Sequence, residues 1–382
     1  MDALLVIDKP LGLTSFDVVA KVRRLLGERR IGHAGTLDPL ATGVLLLCLG
    51  EMTKLVPYLM DADKEYLATA RLGLATDTDD ADPQARELFR AEDSALCALS
   101  EAQIRAALSC RIGELPQRPP RFSALKLDGK RLYAQARRAR SGASIGPGAD
   151  DRADDRASPP QAPDEAHADA AIEAATAQKT RTVHIAAIDV VSLRLRSPDD
   201  PPGTLPEVSF RVRCGKGTYI RSLARDLGDA LGVGAHLSSL RRLRVGPFDL
   251  QNAVAPDQAA AAKCYGLRDA VAHLPQLVLN DTEAHRLRCG QPAVLRELAP
   301  RLSALRSARE KAGVQAVAAL DLRGALIAIV QPVEPSPVAG REIDSIDRHE
   351  SPQRWQIARG FSEPIAAPAQ PTKEAPCTTD CA

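Results

Sequence analysis

One carboxylate stands out in residues 32–43, GHAGTLDPLATG, where Asp38 precedes a proline within a run of glycines and small side chains. An acid held in so tight a bend can act as a nucleophile or general base. It can equally spend its oxygens on the N–H groups of its own turn. Three other chemistries fail on the residue types. A phosphate-binding P-loop needs Gly-Lys-Ser/Thr at the end of its spacing, and GTLDPLATG contains no lysine. An aspartyl-phosphate transferase needs a second acid two residues on, where Leu40 stands. A metal site needs further ligands, and His33 is the sole candidate nearby.

Two more stretches carry charge in suggestive patterns. Residues 76–83, TDTDDADP, invite a calcium-loop reading, but counting from Asp77 the sixth position is Asp82, not Gly, and the twelfth is Leu88, not Glu. A solvated, turn-forming loop is expected there. Residues 213–228, RCGKGTYIRSLARDLG, place a Gly-rich turn at a helix start. Such a turn can bind phosphate, and helix packing accounts for the glycines equally well. Arg221 and Arg225 lie four apart on one helical face. They are either surface charges or the means of bringing Arg221 beside Asp38, where its charge favours the carboxylate.

The elements that must position these residues follow from hydrophobic period. Residues 4–10, LLVIDKP, read as a strand ending at Pro10. Thr14 and Asp17 form a capping-box pattern, Phe16, Val19, Val22 and Leu26 follow at helical spacing, and Gly27 stops the helix. The loop 32–43 comes next, and the apolar run from Val44 to Leu49 reads as a buried strand. In KEYLATARLGL, Tyr66, Ala68, Ala70 and Leu72 share one face of a strand, with Leu67, Thr69 and Arg71 on the other. RTVHIAAIDVVSLRL reads as one or two strands, and Val208, Phe210, Val212 and Cys214 alternate in another. The following helix carries Ile220, Leu223, Ala224, Leu227 and Leu231 and closes at Gly232. Beyond residue 255 a short helix over 282–288 precedes a hairpin, 314–320 with 325–330 about the turn DLRG. The expected class is α/β (α+β), with a mixed, largely antiparallel sheet and a small β-rich second domain ending near Phe361.

Composition narrows the class of function. At 382 residues, 45% apolar and 26% charged, the chain is an ordinary globular one, long enough for two domains or one large domain with an appendage. The start has no basic leader, and no apolar run reaches the ~18 residues of a membrane span, so a cytoplasmic protein is expected. Eight dispersed cysteines without a C-x-x-C pair speak for reduced thiols and no zinc. The net charge of +1 conceals a basic strip: residues 114–142 hold Arg118, Arg121, Lys126, Lys130, Arg131, Arg137, Arg138 and Arg140 against two acids. An acidic, Ala/Pro-rich insertion over 141–180 offsets it and is expected to be disordered.

Together these segments resemble the bacterial tRNA pseudouridine synthase B (TruB) family. The residues that carry the resemblance are LLVIDKPLGLTS, IGHAGTLDPLATGVLLLCLGEMTKL, DKEYLATARLGLATDTDD, PPRFSALKLDGKRLYAQAR and VRCGKGTYIRSLARDLGDALGVGAHLSSLRRL, in the family's order across most of residues 4–250. The resemblance implies a pseudouridine synthase domain over 1–254, with 114–142 as an RNA-clasping segment. It also implies a PUA-like RNA-binding domain over 255–361, followed by a disordered tail, 362–382. It implies isomerisation of uridine 55 in the tRNA T-loop, with Asp38 essential, Tyr66 packed on the target base, and Arg221 paired with the aspartate. His33, Tyr219 and Leu240 are implied as contacts to the flipped nucleotide. Arg241, Arg242 and Arg244 join the basic strip as expected phosphate contacts. The chemistry implied needs no metal and no cofactor. The expected partner is the T-arm of tRNA, bound by a monomer without guide RNA, obligatory protein partner or membrane. Two alternatives come from other classes: a non-catalytic tRNA-binding or folding protein, and a glycosidic hydrolase, for which no partner acid sits in the motif segments.

Overall fold

The computed structural model describes residues 1–122, 126–127, 130–131, 174, 176–307, 316–333 and 355–361. The acidic insertion up to residue 173, the rest of the basic strip, and the tail 362–382 lie outside these residues, and with them those expectations of disorder. At the far end of the segment expected to be disordered, 141–180, residues 176–178 are helical and Thr176 is buried, so the expectation is corrected there.

The chain opens with β1 (Ala3–Lys9), α1 (Ser15–Leu26), β2 (Ile31–Ala34) and β3 (Ala41–Leu49). There follow α2 (Val56–Asp61), β4 (Lys64–Leu72), β5 (Leu74–Thr76) and β6 (Glu87–Arg90). Helices α3 (Asp93–Cys97) and α4 (Glu101–Ser109) precede β7 (Gly113–Gln117). Two-residue strands β8 (Lys126–Leu127) and β9 (Lys130–Arg131) pair with each other. Next come β10 (Arg181–Arg194), β11 (Glu207–Cys214), α5 (Ile220–Leu231), β12 (Ala235–Val245) and β13 (Phe248–Asp249). The chain continues through α6 (Leu267–Ala270), β14 (Gln276–Val278), α7 (Asp281–Arg288) and α8 (Ala293–Ser307). It ends on β15 (Val317–Leu320), β16 (Leu326–Pro332) and β17 (Trp355–Gly360). Two compact units result, one of Met1–Pro39, Gly43–Ala62 and the chain from Arg244 on, the other of Leu40–Thr42 and Asp63–Leu243.

In the first unit β3 takes β1 antiparallel along one edge, from Ala3↔Leu49 to Lys9↔Gly43, and β2 along the other, from Ile31↔Leu49 to Ala34↔Leu46. A strand covered this completely reads as continuous apolar sequence, and every side chain from Val44 to Leu49 is buried. The expected loop 32–43 is therefore shorter: β2 and β3 reclaim its ends by pairing, and only residues 35–40 form the bend. Helix α1 begins at the Thr14 capping box and ends at Gly27, in the left-handed region at φ 64°. Its buried residues are Ser15, Val18, Val19 and Val22, a stripe at i, i+3, i+4, i+7. Each of the valines contributes about 1.5–3 kcal/mol by burial. Phe16, expected on this face, lies off the stripe and is exposed. Leu4, Val6, Val44 and Leu46 share a core with Phe248, Tyr265, Ala318 and Ile329. A second cluster joins Leu287, Val294, Leu298 and Leu302 to Val317 and Val330. Strands β14–β17 form a four-stranded sheet in chain order, with β14 parallel to β15 and the other pairs antiparallel. The hairpin expected about DLRG is present, closed by Asp321, whose Oδ1 accepts from the N–H groups of Arg323 and Ala325. Helix α8, with Pro300 inside it, was not expected, since a proline masks helical period.

In the second unit the strand order is β12-β4-β11-β10-β7, and β4, β11, β10 and β7 pair antiparallel in turn. The alternation expected in β4 is found: Tyr66, Ala68, Ala70 and Leu72 are buried between more exposed neighbours. The stretch after the insertion is one strand, β10, made long by two register shifts, at 185/187 and 190/192. Helix α5 buries Ile220, Leu223, Ala224 and Leu227 and stops at Gly232, φ 70°. Among the described residues no helix is long and apolar enough to cross a membrane.

Gly228 is where α5 passes closest to the chain that enters β12. A Cβ built there would lie 2.2 Å from the Ala235 backbone nitrogen and 2.3 Å from the Gly234 carbonyl carbon. Backbone cannot yield as a side-chain tip can. Gly228→Ala is expected to destabilise the protein by about 1–3 kcal/mol, read as a lower midpoint in urea at unchanged slope.

Candidate active site

The bend that carries Asp38 is fixed on both sides by backbone hydrogen bonds within the first unit. Before it, the Ser15 hydroxyl accepts from the Leu37 N–H (2.9 Å) and donates to the Leu37 carbonyl (3.2 Å). After it, the Pro39 carbonyl accepts from the Gly12 N–H (2.9 Å). Ser15 and Leu37 are both buried. The loop that supplies Gly12 is itself held by Lys9, fully buried, whose Nζ donates to the carbonyls of Pro10 (3.0 Å) and Leu13 (2.5 Å). Gly35, at φ 99°, lets the chain turn out of β2. Asp38 is half-buried. His33 sits earlier on the same path, in β2, with its ring edge-on to Phe16 at 5.4 Å between centroids.

The remaining candidates belong to the second unit. Tyr66 lies on β4, 9% exposed, opposite Val212 of β11. Tyr219 is the N-cap residue of α5, and the Gln117 side chain grips its backbone twice, accepting from its N–H (2.7 Å) and donating to its carbonyl (3.0 Å). The Arg181 guanidinium stacks over the Tyr219 ring at 4.9 Å and donates to the Gly217 carbonyl. Gly217 leaves room for that guanidinium, so the GKG turn is explained by packing. Leu240, half-buried on β12, accepts at its carbonyl from the Thr42 hydroxyl (3.4 Å), which also accepts from Arg241 Nη1 (3.3 Å). Thr42 belongs to Leu40–Thr42, the piece of the second unit that follows the bend in sequence.

Arg221 and Arg225 share one face of α5, as expected, and neither is a surface charge. Arg221 donates to the Thr78 carbonyl (3.0 Å), to Asp80 Oδ2 (3.4 Å) and to the Phe122 carbonyl (2.8 Å). Arg225 donates to Asp79 Oδ2 (2.9 Å), to the Arg118 carbonyl (2.9 Å) and to its neighbour Asp226 (3.0 Å). The expectation of a solvated loop over 76–83 is thus overturned for its first half: Thr76, Asp77, Thr78, Asp79 and Asp80 are all buried. Asp79 takes φ 58°, a left-handed backbone that, after Gly, Asn and Asp adopt most readily. Burial pushes its carboxyl up to about 6 against the pull of Arg225, Arg221 and Arg118. Buried carboxylates persist only when paired and hydrogen-bonded, and two arginines supply both. Arg242 also departs from expectation: at 1% exposure it is part of the interior and not a phosphate contact.

The sequence reasoning brought Tyr219 and Arg221 to one helix start, where they are found, with Asp38 and His33 together in the other unit. It missed the residues that hold them: Ser15, Gly12 and Lys9 about Asp38, and Gln117, Asp79 and Asp80 about α5. A signal for the last two existed, since consecutive acids face two arginines four residues apart, but their separation of about 140 positions gave no reason to pair them.

Comparisons with known proteins identify the family of the chain. Residues 23–144 match the model of the TruB family pseudouridylate synthase N-terminal domain, and residues 221–280 that of the tRNA pseudouridylate synthase B C-terminal domain. The chain is 42% identical over 260 residues to tRNA pseudouridine synthase B of Thermobifida fusca (strain YX), covering 68% of this chain and 75% of that protein. It is 39% identical over 317 residues to tRNA pseudouridine synthase B of Burkholderia mallei (strain NCTC 10247), covering 81% and 88%. Among solved structures, one chain in the crystal structure of a Cbf5-Nop10-Gar1 complex is similar, with TM-score 0.56, 25% identity, and coverage of 87% of this chain and 79% of that one.

Removing the Ser15 hydroxyl strands both polar groups of a buried residue. Ser15→Ala is expected to cost about 1–3 kcal/mol and to speed hydrogen exchange at the Leu37 amide more than at amides of β3, measured by mass spectrometry on peptides spanning the bend.

Proposed function

The chain belongs to the TruB family of tRNA pseudouridine synthases, and from that premise we propose that it converts uridine 55 of the tRNA T-loop to pseudouridine with Asp38 as its nucleophile. As a member of the family it is an isomerase that forms pseudouridine in tRNA. The single observation that carries the finer reading is the anchoring of Asp38. The backbone of Leu37 and Pro39 on either side of it is tied to the Ser15 hydroxyl and the Gly12 N–H, so the carboxylate is presented with little freedom to drift. A displacement of about 1 Å can cost on the order of 100-fold in rate, which makes such anchoring worth its burial.

The net chemistry is balanced without an external reactant. The N1–C1′ bond breaks, the uracil turns, C5 bonds to C1′, the C5 proton is released, and N1 takes one up. The Asp38 carboxylate enters by attack at C1′, by addition at C6, or by taking a proton from C2′. The uridine must leave its stack, at a cost of a few kcal/mol. The Tyr66 ring, buried among the apolar residues of β4, would return about 1–3 kcal/mol by stacking on the base. Arg221 is proposed to hold the ionised Asp38, and the bonds that pin its guanidinium to Thr78, Asp80 and Phe122 support that use. His33, Tyr219 and Leu240 are proposed to receive the everted nucleotide. Exposed cations on and after β11, Arg213 and Lys216, suit the phosphate backbone, and affinity should then fall steeply with salt. The enzyme is proposed to act as a monomer on tRNA alone, with residues 1–254 as the catalytic part and 255–361 as an RNA-binding module.

Asp38→Asn should lower turnover by roughly 1,000-fold or more while tRNA binding persists. Tritium release from tRNA transcript labelled at uridine C5 measures it. Isomerisation frees the label and leaves the RNA intact, a hydrolase frees uracil, and a pure binder frees nothing. Carbodiimide treatment followed by primer extension should give one new stop, one nucleotide 3′ of uridine 55; a stop elsewhere in the tRNA overturns the proposed position.

A further inference from the structure

Arg221 has a role in the reading above; Arg225, one helical turn further on, has none. Yet the two guanidiniums are bound alike. Each reaches one carboxylate of the turn after β5, Asp80 for Arg221 and Asp79 for Arg225. Each also reaches one carbonyl of the segment after β7, Phe122 for Arg221 and Arg118 for Arg225. Ser222, between them on α5, adds a third tie, its hydroxyl donating to the same Arg118 carbonyl at 2.8 Å. The result is a ladder of two rungs laid across α5, with the acidic turn on one side and the root of the basic strip on the other. The second rung is the tighter, with Arg225 at 2.9 Å from Asp79 and Arg221 at 3.4 Å from Asp80.

We propose that Arg225 and Asp79 are positioning residues for the pseudouridine-forming site, holding the turn of Thr78 and Asp80 so that it presents its oxygens to Arg221. This rests on the reading that Arg221 serves the reaction. Asp79 and Asp80 are adjacent, so a turn released at Asp79 is released at Asp80. The left-handed backbone at Asp79, φ 58°, is sustained by what surrounds it: its carboxylate is drawn to Arg225 while its carbonyl accepts from the Leu237 N–H of β12 (3.0 Å). An arginine serves here because its fork can bind a carboxylate and a carbonyl at once, which a lysine point charge does less well.

The geometry also makes the second rung sensitive to acid. Asp79 faces Arg225, Arg221 and Asp226 from α5 and Arg118 from the segment after β7. Its own turn adds Asp77 and Asp80, and β12 adds His236, whose pKa burial lowers. With the Asp79 carboxyl at about 6, protonation below that pH leaves Arg225 a neutral acceptor in place of a carboxylate. Raised above its ordinary 3.8, this group disfavours ionisation in the fold; stability it contributes is therefore fully present below pH ~4 and lost as pH rises through 6. The paired, ionised form that positions Arg221 is populated above 6. Rate and stability thus move in opposite directions with pH.

The test compares wild type, Asp79→Asn and Arg225→Lys in single-turnover tritium release between pH 5 and 8.5, with tRNA affinity measured alongside. Asn suits the left-handed position and imitates the neutral acid. Asp79→Asn is expected to run roughly 10-fold or more below wild type at pH 7.5, with tRNA affinity unchanged and the fall in rate through pH 6 abolished. Arg225→Lys is expected to lie between the two. Should Asp79→Asn fail to fold by thermal unfolding, Arg225→Lys carries the same rate and affinity readouts. Wild-type rates in the variants, or an acid limb at pH 6 that survives in Asp79→Asn, overturns the inference. A wild type that releases no tritium from tRNA overturns the functional reading instead.

Discussion

A single buried hydroxyl does much to make this a site. Ser15 meets both polar groups of Leu37, the residue before Asp38, and it does so from the first turn of a helix whose start is set by the Thr14 capping box. A peptide unit buried without partners would cost a few kcal/mol; here both groups are satisfied by one side chain, and the bend has one low-energy course. Gly12 closes the other side through Pro39, on a loop that Lys9 holds from beneath. The acid is therefore carried by rigid strand and helix ends, although it sits in a loop. That combines access with immobility.

The second unit solves a different problem, the burial of charge. Arg221, Arg225, Asp79 and Asp80 are each nearly inaccessible to water. Taking such ions from solvent is expensive, and mutual attraction offsets the cost only when the remaining donors and acceptors are also met. They are met here by backbone: Thr78, Phe122 and Arg118 each lend a carbonyl. The arrangement is one of specificity more than of stability. An apolar cluster of equal volume would hold α5 in place as firmly, but it could not hold a guanidinium in a chosen orientation. A comparable economy appears at Tyr219, where one amide side chain, Gln117, satisfies both backbone groups of the N-cap residue.

Local signals in the sequence were good guides wherever the physics is local. The capping box at Thr14 and Asp17, the glycine stops at Gly27 and Gly232, the alternation of β4 and β11 and the hairpin about Asp321 all read correctly. Errors arose where partners are distant. Residues 32–43 looked like one long loop because their ends become strand only by pairing with β3 and β1. Phe16 fits a helical stripe on spacing alone, but the stripe that meets the core is Ser15, Val18, Val19 and Val22. The acids after Thr76 looked solvated because no local feature announces two arginines arriving from α5.

By itself the sequence determined the kinds of element, the class of sheet and the chemical candidates, because backbone period, caps and turn residues act over a few positions. Its motifs also sufficed to suggest the family and the reaction. Which charges are buried and which oxygens hold each guanidinium were decided only by tertiary structure. So were the anchoring of Asp38 through Ser15 and the enclosure of Arg242. Charge and hydrogen-bond energies depend on distance and on exclusion of water, and neither quantity exists along a chain until residues distant in sequence have been packed together.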